Sequence, residues 1–158
     1  MGFATHLGPW LLGTVKSTTG TTAGTIRNLG NTIVCQSKNG VAFGDTAASS
    51  AFTIPAGSLI TSIQLLQTTT FTGTSGVITI YANGTAIATC AAITGGTAGV
   101  ISFTGTAAQM SSWVNTGSID DIITYTMASS GTLSAGAGTL VMAYAVRDSD
   151  GSSVPASA

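Results

Sequence analysis

No glutamate occurs in this chain, and nine of its 158 residues are charged at neutral pH: four Lys or Arg and five Asp. A soluble domain ordinarily has about a quarter of its residues charged. Acid, base or metal chemistry needs several such groups converging on one place. Here Lys16, Arg27, Lys38, Arg147, Asp45, Asp120, Asp121, Asp148, Asp150 and the single His6 are scattered along the chain. The expectation is a structural protein, not an enzyme, with no cofactor and no metal.

Other absences narrow the reading further. The longest apolar runs, such as residues 139–146, fall well short of the roughly 20 residues a membrane span needs, so no membrane partner is expected. A net charge of −1 offers nothing to a phosphate backbone, which argues against nucleic acid. There is no Gly-x-Ser-x-Gly elbow and no His after His6, which excludes a triad hydrolase. The first twelve residues lack the basic start and continuous apolar stretch of a secretory signal, and His6 stands where myristoylation wants Ser or Thr. Cys35 and Cys90 allow either one disulfide or two separate buried thiols, and the missing export signal favours the second.

What fills the space is hydroxyl. Ser and Thr make up about three residues in ten, yet mean hydropathy is +0.47. A folded monomer of 15.5 kDa would expose about 7,200 Å², or roughly 800 Å² for each charged group. So neutral a surface is expected to be partly covered, by further copies of the chain or by a partner shell.

Residues 1–30 show neither a 2 nor a 3.6 period and read as an extended N-terminal arm; it carries Lys16 and Arg27 and suits an acidic neighbour, although a solvated tail fits as well. Residues 31–148 read as one all-β domain, an antiparallel β-sandwich of jelly-roll kind, and 149–158 as a loose tail. Strands are predicted over 32–37, 41–43, 51–54, 59–68, 77–82, 85–90, 100–104, 121–128 and 139–147, with a short helix over 107–114. Asn83-Gly84 between two β-prone runs predicts a type I′ hairpin turn. A repeat solenoid is the competing fold, but the recurring Gly-Thr pairs keep no fixed period.

The remaining motifs have ordinary explanations. Asp148-Ser149-Asp150-Gly151 resembles the opening of a calcium loop but lacks its later ligands. Asp120 and Asp121 are adjacent, so on a strand they would point to opposite faces. Phe52, Phe71, Tyr81, Phe103, Trp113, Tyr125 and Tyr144 read as core. Thr68, Thr70, Thr72 and Thr74 would put hydroxyls in one row, a single row where regular ice-binding surfaces repeat many.

The segment Phe52-Thr53-Ile54-Pro55-Ala56-Gly57-Ser58-Leu59-Ile60-Thr61-Ser62-Ile63, continued by residues 67–73, resembles small virion proteins of tailed bacteriophages. So does the opening Gly8-Pro9-Trp10-Leu11-Leu12-Gly13-Thr14-Val15 with Thr18-Thr19-Gly20-Thr21-Thr22. The family this implies is the capsid decoration, or cement, proteins. It implies a β-sandwich or β-tulip core, a homotrimer, and the major capsid protein as partner. The location implied is the capsid surface of the virion, after synthesis in the host cytoplasm. On that reading Trp10, Ile26 and Leu29 are apolar anchors to the shell, while Lys16 and Arg27 meet its acidic groups. The alternative is a tail-fibre or spike domain binding host glycans through loops 94–99 and 129–138. A small secreted or lipid-associated binding protein is a third class.

Overall fold

The computed structural model describes residues 33–73, 76–90, 93, 98–129 and 132–146. Eight strands and one helix account for most of them: β1 (Ile33–Ala42), β2 (Ser49–Ile54), β3 (Leu59–Thr72), β4 (Gly76–Ala82), β5 (Thr85–Thr89), β6 (Val100–Ser102), α1 (Ala107–Val114), β7 (Asp121–Ser129) and β8 (Ala135–Ala145). The expected arm, 1–30, and tail, 149–158, lie outside the described residues.

Period-two patterning builds the sandwich. In β4 and β7 alternate side chains are buried, Ile78 and Ile80 in the first and Ile123, Tyr125 and Met127 in the second. In β3 and β8 the same alternation turns Ile63, Leu65, Leu140, Met142 and Tyr144 inward. One sheet runs β1-β8-β3-β6 and the other β2-β7-β4-β5, with every pairing antiparallel. The chain is thus an all-β sandwich. Its pairs β1–β8, β2–β7, β3–β6 and β4–β5 are nested, as though one long hairpin had been folded over on itself. The innermost turn is the expected one: Asn83 and Gly84 both take positive φ, 47° and 82°.

Several boundaries differ from expectation for identifiable reasons. The two short strands expected at 32–37 and 41–43 are a single β1, in which Gly40 (φ 75°) absorbs a bulge between Asn39 and Val41. The break expected after Thr68 is absent: β3 continues to Thr72, and Phe71 is buried. β8 begins at Ala135, earlier than the apolar run, because Gly136 and Gly138 allow close approach rather than ending the strand.

The helix lies where expected. Thr106 caps it reciprocally with Gln109: the Gln109 amide donates to Thr106 Oγ1 (3.3 Å) and the Thr106 amide to Gln109 Oε1 (2.8 Å). Trp113 Nε1 donates to the Ile87 carbonyl (2.9 Å) and anchors the helix to β5, so that it closes the side of the sandwich where β5 and β6 are edges. On the other side Gln36 of β1 reaches across to the Thr53 carbonyl of β2 and to the Tyr144 hydroxyl.

Gly136 sets the tightest packing constraint. Its φ is 134°, and a methyl group there would stand 2.2 Å from the Phe71 ring. Gly136→Ala is therefore expected to cost about 2 kcal/mol or more, through overpacking and backbone strain together. Gly84→Ala, with φ 82° and nothing within 4 Å, should lose only about 1–2 kcal/mol. Chemical denaturation of the two variants checks the order.

Candidate interaction surfaces

Four charged residues lie among the described residues: Lys38, Asp45, Asp120 and Asp121. None points from a broad face of the sandwich. Lys38 pairs in register with buried Leu140 and shares its inward side, half-buried at the edge strand, a placement that discourages edge-to-edge pairing. Asp45 lies in the loop after β1. Its Oδ2 accepts from the Tyr125 hydroxyl (2.6 Å) and the Ala42 amide (3.0 Å).

Asp120 and Asp121 do part, as their adjacency implies. Asp120 Oδ1 accepts from the Ala56 amide (3.0 Å), tying the loop before β7 to the loop after β2. Asp121 is buried, and its Oδ1 accepts from Asn83 Nδ2 (2.5 Å). Burial, reinforced by the neighbouring Asp120 charge, raises its carboxyl above the ordinary range. Asn83 also accepts from the Ile122 amide, so one turn residue holds both the hairpin and the start of β7. All three carboxylates thus serve as internal fastenings for loops. Among the described residues no three His, Cys, Asp or Glu come together.

The register places what lies outside. On the first sheet the rows Asn39–Thr139–Leu66–Val100, Ser37–Val141–Gln64–Ser102 and Cys35–Ala143–Ser62 cross the outer face. On the second, Ser50–Thr124–Tyr81–Ala86 and Thr126–Thr79–Thr89 do the same. Both faces carry hydroxyl, carboxamide, small and aliphatic side chains with one tyrosine, and the described residues on them are uncharged. Tyr81 lies here, half-buried, its hydroxyl within 3.4 Å of Thr126, and not in the core where the aromatic pattern put it. The other six aromatics are buried or packed against the core. The threonine row expected along β3 is interrupted by register shifts between Gln67 and Thr72; the aligned threonines run across strands instead. Cys35 is exposed on the outer face while Cys90 is buried, so the two thiols do not meet, and the expectation that both are buried fails for Cys35. Burial raises the Cys90 thiol pKa.

Both ends of the described chain, Ile33 and Val146, lie at one end of the sandwich, beside the loops 55–58, 83–84 and 115–120. Ile119 and Ile122 are exposed there. The sequence held a signal for Ile122: it is out of phase with Ile123, Tyr125 and Met127, which must face inward. Trp10, Lys16, Ile26, Arg27 and Leu29 lie outside the described residues, as do residues 94–97, 130–131 and 148–151 of the other candidate loops and motif. Ser129 and residues 132–138 of the second loop are placed, at the end opposite Ile33. Comparison with protein-family models, curated proteins and solved structures found no match to this chain.

The Tyr125–Asp45 bond gives a test of this electrostatic account. Burial, then the Asp45 hydrogen bond, pushes the Tyr125 pKa from its ordinary value near 10 up to about 12. The unfolded chain loses this proton first, so the stabilisation is complete below pH 10 and is lost as pH rises towards 12. Tyr125→Phe is expected to lower stability at pH 7 by about 1–3 kcal/mol and to remove that part of the alkaline decline. Urea titrations at pH 7, 10 and 11.5 measure both effects.

Proposed function

We propose that this protein is a non-enzymatic virion component that decorates and stabilises a phage capsid, as a homotrimer bound to the major capsid protein. The observation that carries the reading is the pair of broad, uncharged outer faces. Covering such a face strips no ion of its water, so contact between copies or with a shell avoids the desolvation cost that opposes burial of charged surface. The nested strand order supports reading the sandwich as a jelly roll, a fold used in capsid proteins. The resemblance of residues 52–63 and 8–15 to virion proteins of tailed phages supports the same class.

In this reading the N-terminal segment supplies shell contacts through Trp10, Ile26 and Leu29, with Lys16 and Arg27 meeting acidic groups. A tail-fibre or spike domain is the second reading. The cross-strand hydroxyls of Thr126, Thr79 and Thr89 beside Tyr81 favour it, since sugars are bound by hydroxyl partners and an aromatic face. Copy number separates the two. Quantitative mass spectrometry of gradient-purified particles is expected to find this chain in a simple ratio to the major capsid protein, compatible with one trimer per local junction. A few dozen copies or fewer would assign it to the tail, and absence from particles would overturn the virion reading.

A second expected outcome concerns the arm. Trp10→Ala combined with Arg27→Glu should abolish capsid attachment in a pelleting assay while the domain still unfolds in a single cooperative thermal transition. Undiminished attachment would remove the arm from the shell contact.

A further inference from the structure

The end of the sandwich where the described chain begins and stops exposes aliphatic and acidic groups together. Ile119 is 67% exposed and Ile122 54%, and between them in sequence Asp120 is exposed while Asp121 is buried against Asn83. No Lys or Arg occurs in the loops 55–58, 83–84 and 115–120 that form this end. We propose that this surface is the docking site of the chain's own first 32 residues, with Trp10, Leu11 and Leu12 seated on Ile119 and Ile122 and Lys16 beside Asp120.

Three observations select that occupant. Charge is the first: residues 1–32 contain Lys16, Arg27 and His6 and no acidic residue, whereas the one charged group exposed on the surface they would meet is the Asp120 carboxylate. The other segment joined at this end, residues 147–158, has two Asp against one Arg and no large aromatic or leucine, so it lacks both the sign and the apolar anchors. The second is attachment. The segment joins the domain at Ile33, whose register partner is Ala145 at this same end. The stretch from Trp10 to Ile33 can span up to about 75 Å, far more than the width of four strands about 4.8 Å apart, so length sets no obstacle. A tethered segment is also presented at millimolar effective concentration, which favours the chain's own arm over that of a second copy.

The third is the contrast with the opposite end. Phe43 and Val100 are exposed there too. The acidic group of that end, Asp45, already accepts from Tyr125 and Ala42 through one carboxylate oxygen. At the Ile119 end Asp120 is placed by a single backbone donor, Ala56, on Oδ1. A cation beside it adds a partner without breaking one. This inference does not depend on the virion reading; within it, docking to a shell would exchange one surface for another along the same arm.

Hydrogen exchange of the full chain, read by mass spectrometry, tests the proposal. Peptides from residues 1–20 are expected to exchange at least about tenfold more slowly than their intrinsic rate. Ile119→Lys with Ile122→Lys should return them to that rate while peptides of β3 and β4 keep their protection. Intrinsic exchange of residues 1–20 in the parent, or protection that survives the double substitution, overturns the proposal. If the double variant loses β3 and β4 protection, a cross-link decides instead. In a Cys35→Ser background, Leu11→Cys and Ile119→Cys should oxidise to a product that migrates as a single chain. A two-chain product would hand the site to a second copy, and the absence of any product would show that the segment does not dock there; either result overturns docking of the chain's own arm.

Discussion

Burial of every second side chain, held in step across the four central strands β3, β8, β4 and β7, is the constraint on which the rest of this molecule depends. The core between the sheets is built by Ile63, Leu65, Leu140, Met142 and Tyr144 on one side and Ile78, Ile80, Ile123, Tyr125 and Met127 on the other. A slip of one residue in any of these strands would turn its aliphatic set to water and its hydroxyls to the core. Register is therefore fixed from both directions, and the nested pairing follows: each strand must find the partner whose inward residues complete the same layer. Glycine makes the layer close at its tightest point, where Gly136 leaves room for the Phe71 ring.

With so few charges, polar work passes to short-range hydrogen bonds. Asp45, Asp120 and Asp121 each fasten a loop to a neighbouring element; without charge, Asn83 ties its turn to β7, Gln36 joins β1 to β2, and Thr106 caps its helix. Such bonds are local and little affected by salt, unlike surface ion pairs. The outer faces are left to threonine, serine, alanine, the carboxamides of Asn39 and Gln64, Tyr81 and isolated aliphatics. They hydrate through hydroxyls but hold water without the strength of an ion's solvation shell, which makes them inexpensive to cover.

Much of the fold was legible because it rests on local rules. The Asn83-Gly84 turn, the Ala107–Val114 helix and the alternation in β4 and β7 each follow from a few adjacent residues. What was not legible depends on partners distant in sequence. Gly40 reads as a break, yet the ladder to β8 carries β1 through it as a bulge. Gly136 and Gly138 read as a loop, yet the close approach of Phe71 and Leu66 makes them strand. Cys35 could not be assigned to an outer face until its register with Ala143 was known. The candidate surfaces show the same division: scarcity of charge is visible in composition, but which side of each sheet lacks it depends on pairing. Ile122 could be read from its phase against Ile123 and Tyr125, but Ile119 lies in the loop before β7, where no period indicates its exposure.

The meeting of Ile33 and Ala145 at one end of adjacent antiparallel strands has a mechanical consequence. Tension delivered at Ile33 and Ala145 would act across the β1–β8 ladder perpendicular to its strands, opening its hydrogen bonds one after another instead of all at once. That is the weak direction of a sheet. A force carried across the flat faces would instead load the whole sandwich in compression or shear, where all eight strands resist together. Any assembly that uses this domain under strain is better served by gripping its faces than by pulling on its ends.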